Sequence, residues 1–157
     1  MNQPTGVEDF AEQMAGTLAA AGFPRMAARV MMALMTTESG RATSEELMQQ
    51  LGASAAAISG AVRYLQTMSI IRRLSIPGTR KHRYELPDHA WYDATTSQGQ
   101  LYTHLIELAE RGLATMPIGS QTALRTEEMA DYFRFMRERL PRLLEEWKAS
   151  RSQGARA

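Results

Sequence analysis

The chain has 157 residues, 44% apolar and 22% charged, with a formal net charge of +1 and no cysteine. That length suits one domain with a real core, or a small module plus a helical dimerisation region. Without thiols there are no disulfides, thiolate metal sites or cysteine nucleophiles, and no run of about 18 apolar residues offers a membrane span.

Residues Met1 to Gly6 are expected to form a disordered tail. The N-terminus lacks a basic region, and its first apolar stretch is broken by Gly22, Pro24, Arg25 and Arg29, so no signal peptide is expected and a cytoplasmic setting fits. A helix is predicted from Val7, with Glu8 and Asp9 at its positive end. Phe10, Met14 and Leu18 fall at i, i+4 and i+8 and make one apolar stripe that needs a partner. Gly22 should stop this helix, and Pro24 suits the first turn of the next. There Met26, Val30, Ala33 and Leu34 form a buried face, and Met31, Met32 and Met35 add apolar surface. Glu38-Ser39-Gly40 is a turn signal, and Arg41-Ala42-Thr43 can form a short strand.

Ser44 is expected to cap a short helix, with Glu45 and Glu46 in its first turn and Leu47 and Leu51 on one face. Gly52 supplies the left-handed conformation of a tight turn. Ser54 then caps a helix from Ala55 to about Met68. Ile58, Ala61, Val62 and Leu65 form its buried stripe; Ala55, Ala56, Ser59, Gly60 and Arg63 fall on the opposite face. Ile70 to Ile76 reads as a strand, Pro77-Gly78 as a turn, and Arg83 to Leu86 as the returning strand. Thr79, Arg80, Lys81 and His82 sit at the tip. Helix, tight turn, helix and basic ribbon are the parts of a winged helix-turn-helix.

Such a module places one helix in the DNA major groove. The small residues let the backbone approach closely, and the helix N-terminus favours phosphate or base acceptors. Ala55 and Ala56 suit a thymine methyl, Ser59 can donate or accept, and Arg63 matches guanine with two hydrogen bonds. The candidate DNA contacts are Ser44, Ser54, Ala55, Ala56, Ser59, Gly60, Arg63 and Tyr64 from the helices, and Arg80, Lys81 and Arg83 from the wing. Tyr64 can instead pack below its helix. Arg72 and Arg73 lie at the ribbon base, where one or both serve structure.

Charge supports this placement. Arg41 to Leu86 holds seven basic and three acidic residues, a net of +4, whereas Pro87 to Lys148 holds seven basic and ten acidic, a net of −3. A basic segment in an acidic frame marks a localised phosphate-binding face. Two alternatives stand beside it. Ile/Val/Leu spacing also fits plain core packing, and a winged module can be a protein-interaction adaptor without DNA specificity.

Pro87-Asp88 opens a helical region with Trp91 and Tyr92. Leu101, Leu105 and Leu108 form a stripe, widened by Tyr102, Ile106 and Leu113. Gly99 leaves the start of this helix open, at His89 or after Gly99. Met116 to Gly119 is a break, and Ser120 can cap a final helix. Pro141 should kink or interrupt that helix, and a disordered tail is expected from Ser150. The fold class is mainly α with a small antiparallel β-wing. The expected parts are an N-terminal tail and dimerisation helix (1–22), the winged module (23–87), C-terminal dimerisation helices (88–149) and a disordered tail (150–157). Phe10, Met14, Leu18, Tyr132, Phe133, Met136, Leu140, Leu143, Leu144 and Trp147 are the candidate dimerisation residues, because these stripes carry more apolar surface than a small winged domain buries. A self-contained monomeric core is the alternative.

Asp88, His89 and Asp93 are too few and scattered for a metal site, and Asp88 suits a helix cap. His82 should meet phosphate or solvent, and His104 is solvated or in the core. No phosphate loop, nucleophile elbow or convergent His/Asp/Ser set is visible, so neither catalysis nor a cofactor is expected. Phe23, Met26, Trp91, Tyr92 and Tyr102 are a candidate effector pocket whose rings could hold a quaternary ammonium. Ordinary packing where two regions meet is the favoured account of them.

Gly22-Phe23-Pro24-Arg25-Met26-Ala27-Ala28-Arg29, Ala57-Ile58-Ser59-Gly60-Ala61-Val62-Arg63-Tyr64-Leu65 and Pro77-Gly78-Thr79-Arg80-Lys81-His82-Arg83-Tyr84 resemble the MarR-type regulators. Within them the segment is most similar to the branch related to the glycine betaine synthesis repressor (GbsR-like). The resemblance covers roughly Gly22 to Tyr92; the terminal helices match in length and pattern. It implies a bacterial, homodimeric transcription factor, commonly a repressor, bound to double-stranded DNA. It further implies release by a small-molecule effector.

Overall fold

The computed structural model describes residues 6–154. In chain order it holds α1 (Gly6–Ala20), α2 (Arg25–Thr36), β1 (Arg41–Thr43), α3 (Ser44–Leu51), α4 (Ala55–Thr67), β2 (Arg72–Ser75), β3 (His82–Glu85), α5 (Ala90–Thr96), α6 (Gln98–Leu113) and α7 (Gln121–Gly154). These fall into two compact units, Met1–Asp93 and Ala94–Ala157.

The first unit is built around α2. Ala27, Ala28, Val30, Met31, Met32, Ala33 and Leu34 are all buried, as expected for a helix apolar nearly all round. It packs on α1, α3 and α4. Leu47 of α3 and Ile58, Val62 and Leu65 of α4 complete the core. Of the expected α1 stripe Phe10 and Met14 are exposed and Leu18 is half-buried, while Ala15, outside that stripe, is buried. Arg29 Nε of α2 donates to Glu12 Oε1 of α1 at 3.0 Å.

The three strands form one antiparallel sheet in the order β1-β3-β2. The first ribbon strand starts at Arg72, two residues later than the pattern predicts, because Ile70 and Ile71 are buried in the core. Gly40 carries the turn into β1 at φ 64°, and a Cβ there would stand 3.1 Å from the Leu86 carbonyl oxygen. The Leu86 N–H donates to the Gly40 carbonyl at 2.9 Å, so strand closure needs the small residue.

In the second unit α6 packs along α7. Tyr102 stacks on Phe133 at 5.4 Å between ring centroids, and Arg134 Nη2 donates to Glu110 Oε1 at 2.8 Å. Ser120 Oγ accepts from the Ala123 N–H at 3.2 Å and caps α7 as expected. Ser97 separates α5 from α6, so Gly99 lies inside α6 rather than marking its start. Two expectations need correction. Of the kink or interruption expected at Pro141, the interruption does not occur: α7 runs through it for 34 residues, although an interior proline loses one backbone hydrogen bond and crowds the carbonyl four residues back. The polar residues from Ser150 do not end the helix either, since α7 continues to Gly154. Met1–Thr5 and residues 155–157 of the expected tails lie outside the described residues.

Candidate nucleic-acid interface

The N-terminal half of the site starts with a cap. Thr43 Oγ1 accepts from the Glu46 N–H at 3.2 Å, and the Thr43 N–H donates to Glu46 Oε2 at 2.6 Å. This reciprocal pair satisfies two otherwise orphaned N–H groups. It corrects the expected cap: Ser44 is the first residue of α3, half-buried, and Thr43 is the capping residue. The Thr43 N–H, then its hydroxyl, hold the Glu46 carboxyl below the usual carboxylate range. Gly52 ends α3 at φ 60° and ψ 35°, a left-handed conformation that strains any side chain. Ser54 then caps α4, its Oγ accepting from the Ala57 N–H at 3.3 Å.

One face of α4 is buried at Ile58, Ala61, Val62 and Leu65. Ser54, Ala55, Ala56, Ser59, Gly60 and Arg63 are all exposed. A Cβ built on Gly60 meets nothing within 4 Å, so packing inside the chain does not require glycine there. Tyr64 is half-buried and meets Phe23 edge-on, with centroids 5.2 Å apart. It braces α4 against the turn before α2.

The wing tip closes tightly. The Thr79 N–H donates to the Ile76 carbonyl at 3.2 Å, and the Lys81 N–H to Thr79 Oγ1 at 3.1 Å. At the wing root Arg41, Glu85 and Arg72 stand side by side across the three strands. Arg41 Nη2 lies 2.6 Å from Glu85 Oε1, and Arg72 Nη2 lies 3.3 Å from Glu85 Oε2. One carboxylate thus bridges all three strands and gives Arg72 a structural partner, although Arg72 and Arg73 are both exposed. The clamp was not visible in sequence, because it depends on a register that only strand pairing reveals. Lys81 Nζ lies 3.2 Å from Glu45 Oε1 of α3, a second contact that sequence reasoning missed. Arg83 is exposed, and its charge acts on Glu46. Arg80 is exposed at the tip.

His82, expected to meet phosphate or solvent, is half-buried, and its Nδ1 is buried without a hydrogen-bond partner. Three of the candidate effector residues have these immediate surroundings. Phe23 packs on Tyr64. Trp91 lines a cleft of about 420 Å³ with Met35, Arg41, Arg72 and Glu85. Tyr102 lines a small recess with Met136, Leu140 and Leu144.

Comparison with known proteins follows the same lines. Residues 89–150 match the model of the MmpR5-like MarR family transcriptional regulators. The chain is 29% identical to the HTH-type transcriptional regulator MmpR5 of Mycobacterium tuberculosis over 137 residues, 87% of this chain and 83% of that protein. A crystal structure of a transcriptional regulator superposes with a TM-score of 0.82 at 27% identity, covering 92% of this chain and 99% of the other. A looser likeness, TM-score 0.42 at 18% identity over 77% of this chain and 96% of the other, is to the MarR family regulator Sco3205 from Streptomyces coelicolor in complex with DNA. The matched model begins at residue 89, so it overlaps the end of the Gly22–Tyr92 stretch that carries the resemblance in sequence and extends C-terminal to it.

Proposed function

We propose that this MarR-like winged-helix transcriptional regulator acts as a homodimeric repressor on a palindromic DNA operator. The observation that carries the reading is the face of α4. It pairs a fully buried stripe with an exposed run of small residues ending in Arg63. That face suits close approach to the major groove, where Arg63 would pair with a guanine edge. Ser54 and Ser59 add hydrogen-bonding groups, and Arg80, Arg83 and Arg73 extend the cationic surface towards phosphate.

Two modules on a two-fold axis would read half-sites about one helical turn apart. The surface for pairing them is exposed at Phe10, Met14, Tyr132, Leu143 and Trp147. Phe133, Met136, Leu140 and Leu144 are half-buried, where α6 already uses part of their surface. Release by a small effector belongs to the same reading. The cleft beside Trp91 includes the Arg41–Glu85–Arg72 clamp, so a ligand seated there would act on the root of the wing. The finer placement beside the glycine betaine synthesis repressor rests on the Gly22–Arg29, Ala57–Leu65 and Pro77–Tyr84 markers alone.

Selection of bound duplexes from a random pool at physiological salt tests the function. The expected product is a two-fold symmetric site with half-sites about ten base pairs apart. A pool that returns no enriched sequence, together with capture of one protein partner by the winged face, would favour the adaptor reading.

A further inference from the structure

Three cations crowd the wing around its tip, Arg80, Lys81 and Arg83, yet they are not equally placed. Lys81 Nζ lies 3.2 Å from Glu45 Oε1, and both side chains are more than half exposed. Glu45 belongs to the first turn of α3, where the helix dipole favours a negative charge. The backbone of Lys81 closes the hairpin: its N–H donates to Thr79 Oγ1, and its carbonyl accepts from the Ile76 N–H at 3.3 Å. A restraint on the Lys81 side chain is therefore a restraint on the wing tip. Arg83, two residues on, has its charge felt at Glu46 in the same turn of α3.

We propose that Glu45 is a specificity-determining residue that stands in for a DNA phosphate: it holds Lys81 on α3, steadies the wing, and withholds one cation from non-specific duplex. The inference rests on the DNA-binding reading above. Its physical content is competition. A carboxylate beside an ammonium supplies the charge partner that a phosphate would otherwise supply, and every phosphate neutralised adds to the salt dependence of binding. Arg73, Arg80 and Arg83, all exposed, remain to meet the backbone. Because an exposed ion pair adds little to stability, removing Glu45 should leave the fold intact and change only where Lys81 goes.

The test needs no operator. Binding of wild type, Glu45→Gln, Lys81→Gln and the double variant to a non-specific duplex is measured across a range of salt concentrations. Freed Lys81 should make the Glu45→Gln slope of log K against log salt steeper by about 0.9 per protomer, with tighter non-specific binding at low salt. Lys81→Gln should keep the wild-type slope, and in its background Glu45→Gln should have no further effect on the slope. A Lys81→Gln slope flatter by about 0.9 per protomer would place Lys81 on phosphate already and overturn the inference, as would an unchanged slope in Glu45→Gln. A wild type without salt-dependent binding would overturn the DNA reading and the inference together; a binding wild type with either contrary slope overturns the inference alone.

Discussion

Arg63 and Arg72 are both arginines of the winged module, and their surroundings give them different work. Arg63 projects from the exposed side of α4, whereas Arg72 is held by Glu85 at 3.3 Å. Sequence periodicity was enough to place Arg63, because the face opposite Ile58, Val62 and Leu65 follows from the helical repeat. It could not separate Arg72 from Arg73, since that depends on which strand residues pair with Glu85. The cap shows a different lesson. Thr43-Ser44-Glu45-Glu46 contains the spacing of a capping box at Thr43, and reading Ser44 as the cap moved the helix start by one residue. Thr43→Ala should lower stability by about 1 kcal/mol in denaturant unfolding. Glu46 adds a pH dependence. Its carboxyl is held below the usual range in the folded chain, so its contribution is complete above the unfolded value and is lost as pH falls through the lowered folded one. Glu46→Gln should remove that part of the acid sensitivity, read as a smaller fall in melting temperature between neutral and acid pH. At the wing tip, Arg80→Ala should weaken binding to all sequences and reduce the salt slope by about one. An unchanged slope would count against a phosphate contact.

At the scale of elements, the helices were legible wherever an apolar stripe at helical spacing ended in a turn residue. α3 between Thr43 and Gly52 and α4 from Ser54 follow that rule. The strands were less legible. Ile70 and Ile71 look like strand residues by type but fill the core, and the ribbon begins only where exposed arginines take over. Pro141 suggested a kink or interruption and the polar stretch from Ser150 a disordered tail, and α7 runs uninterrupted through both to Gly154. The position of α4 depends on α3 beneath it, and Leu47 is the fully buried side chain of α3. Leu47→Ala should cost about 2–5 kcal/mol of stability, visible as a lower midpoint in urea. A loss below 1 kcal/mol would mean that α4 is held mainly from α2.

For the whole molecule, the apolar residues left exposed on α1 and α7 set the expectation of a dimer. Tyr132 and Leu143 are 57% and 60% exposed, and surface of this kind marks an interaction site. Replacing both with glutamate should give a folded monomer by light scattering, with operator affinity lost and secondary structure retained. A double variant that stays dimeric would move the interface elsewhere. The sequence markers of the winged module and the family model over residues 89–150 match adjoining parts of the chain that overlap at residues 89–92. In the proposed mechanism the C-terminal part fixes the spacing at which two copies of α4 meet DNA.

The central claim is that α4 reads base edges through Arg63. Its most direct test compares wild type and Arg63→Ala on the selected operator, on each single-base-pair variant and on non-specific duplex, at one salt concentration. The expected result is a loss of about 1–3 kcal/mol on the operator and of discrimination at one symmetric base-pair position, with little change on non-specific duplex. An equal loss on every duplex would contradict it and reduce Arg63 to a phosphate contact.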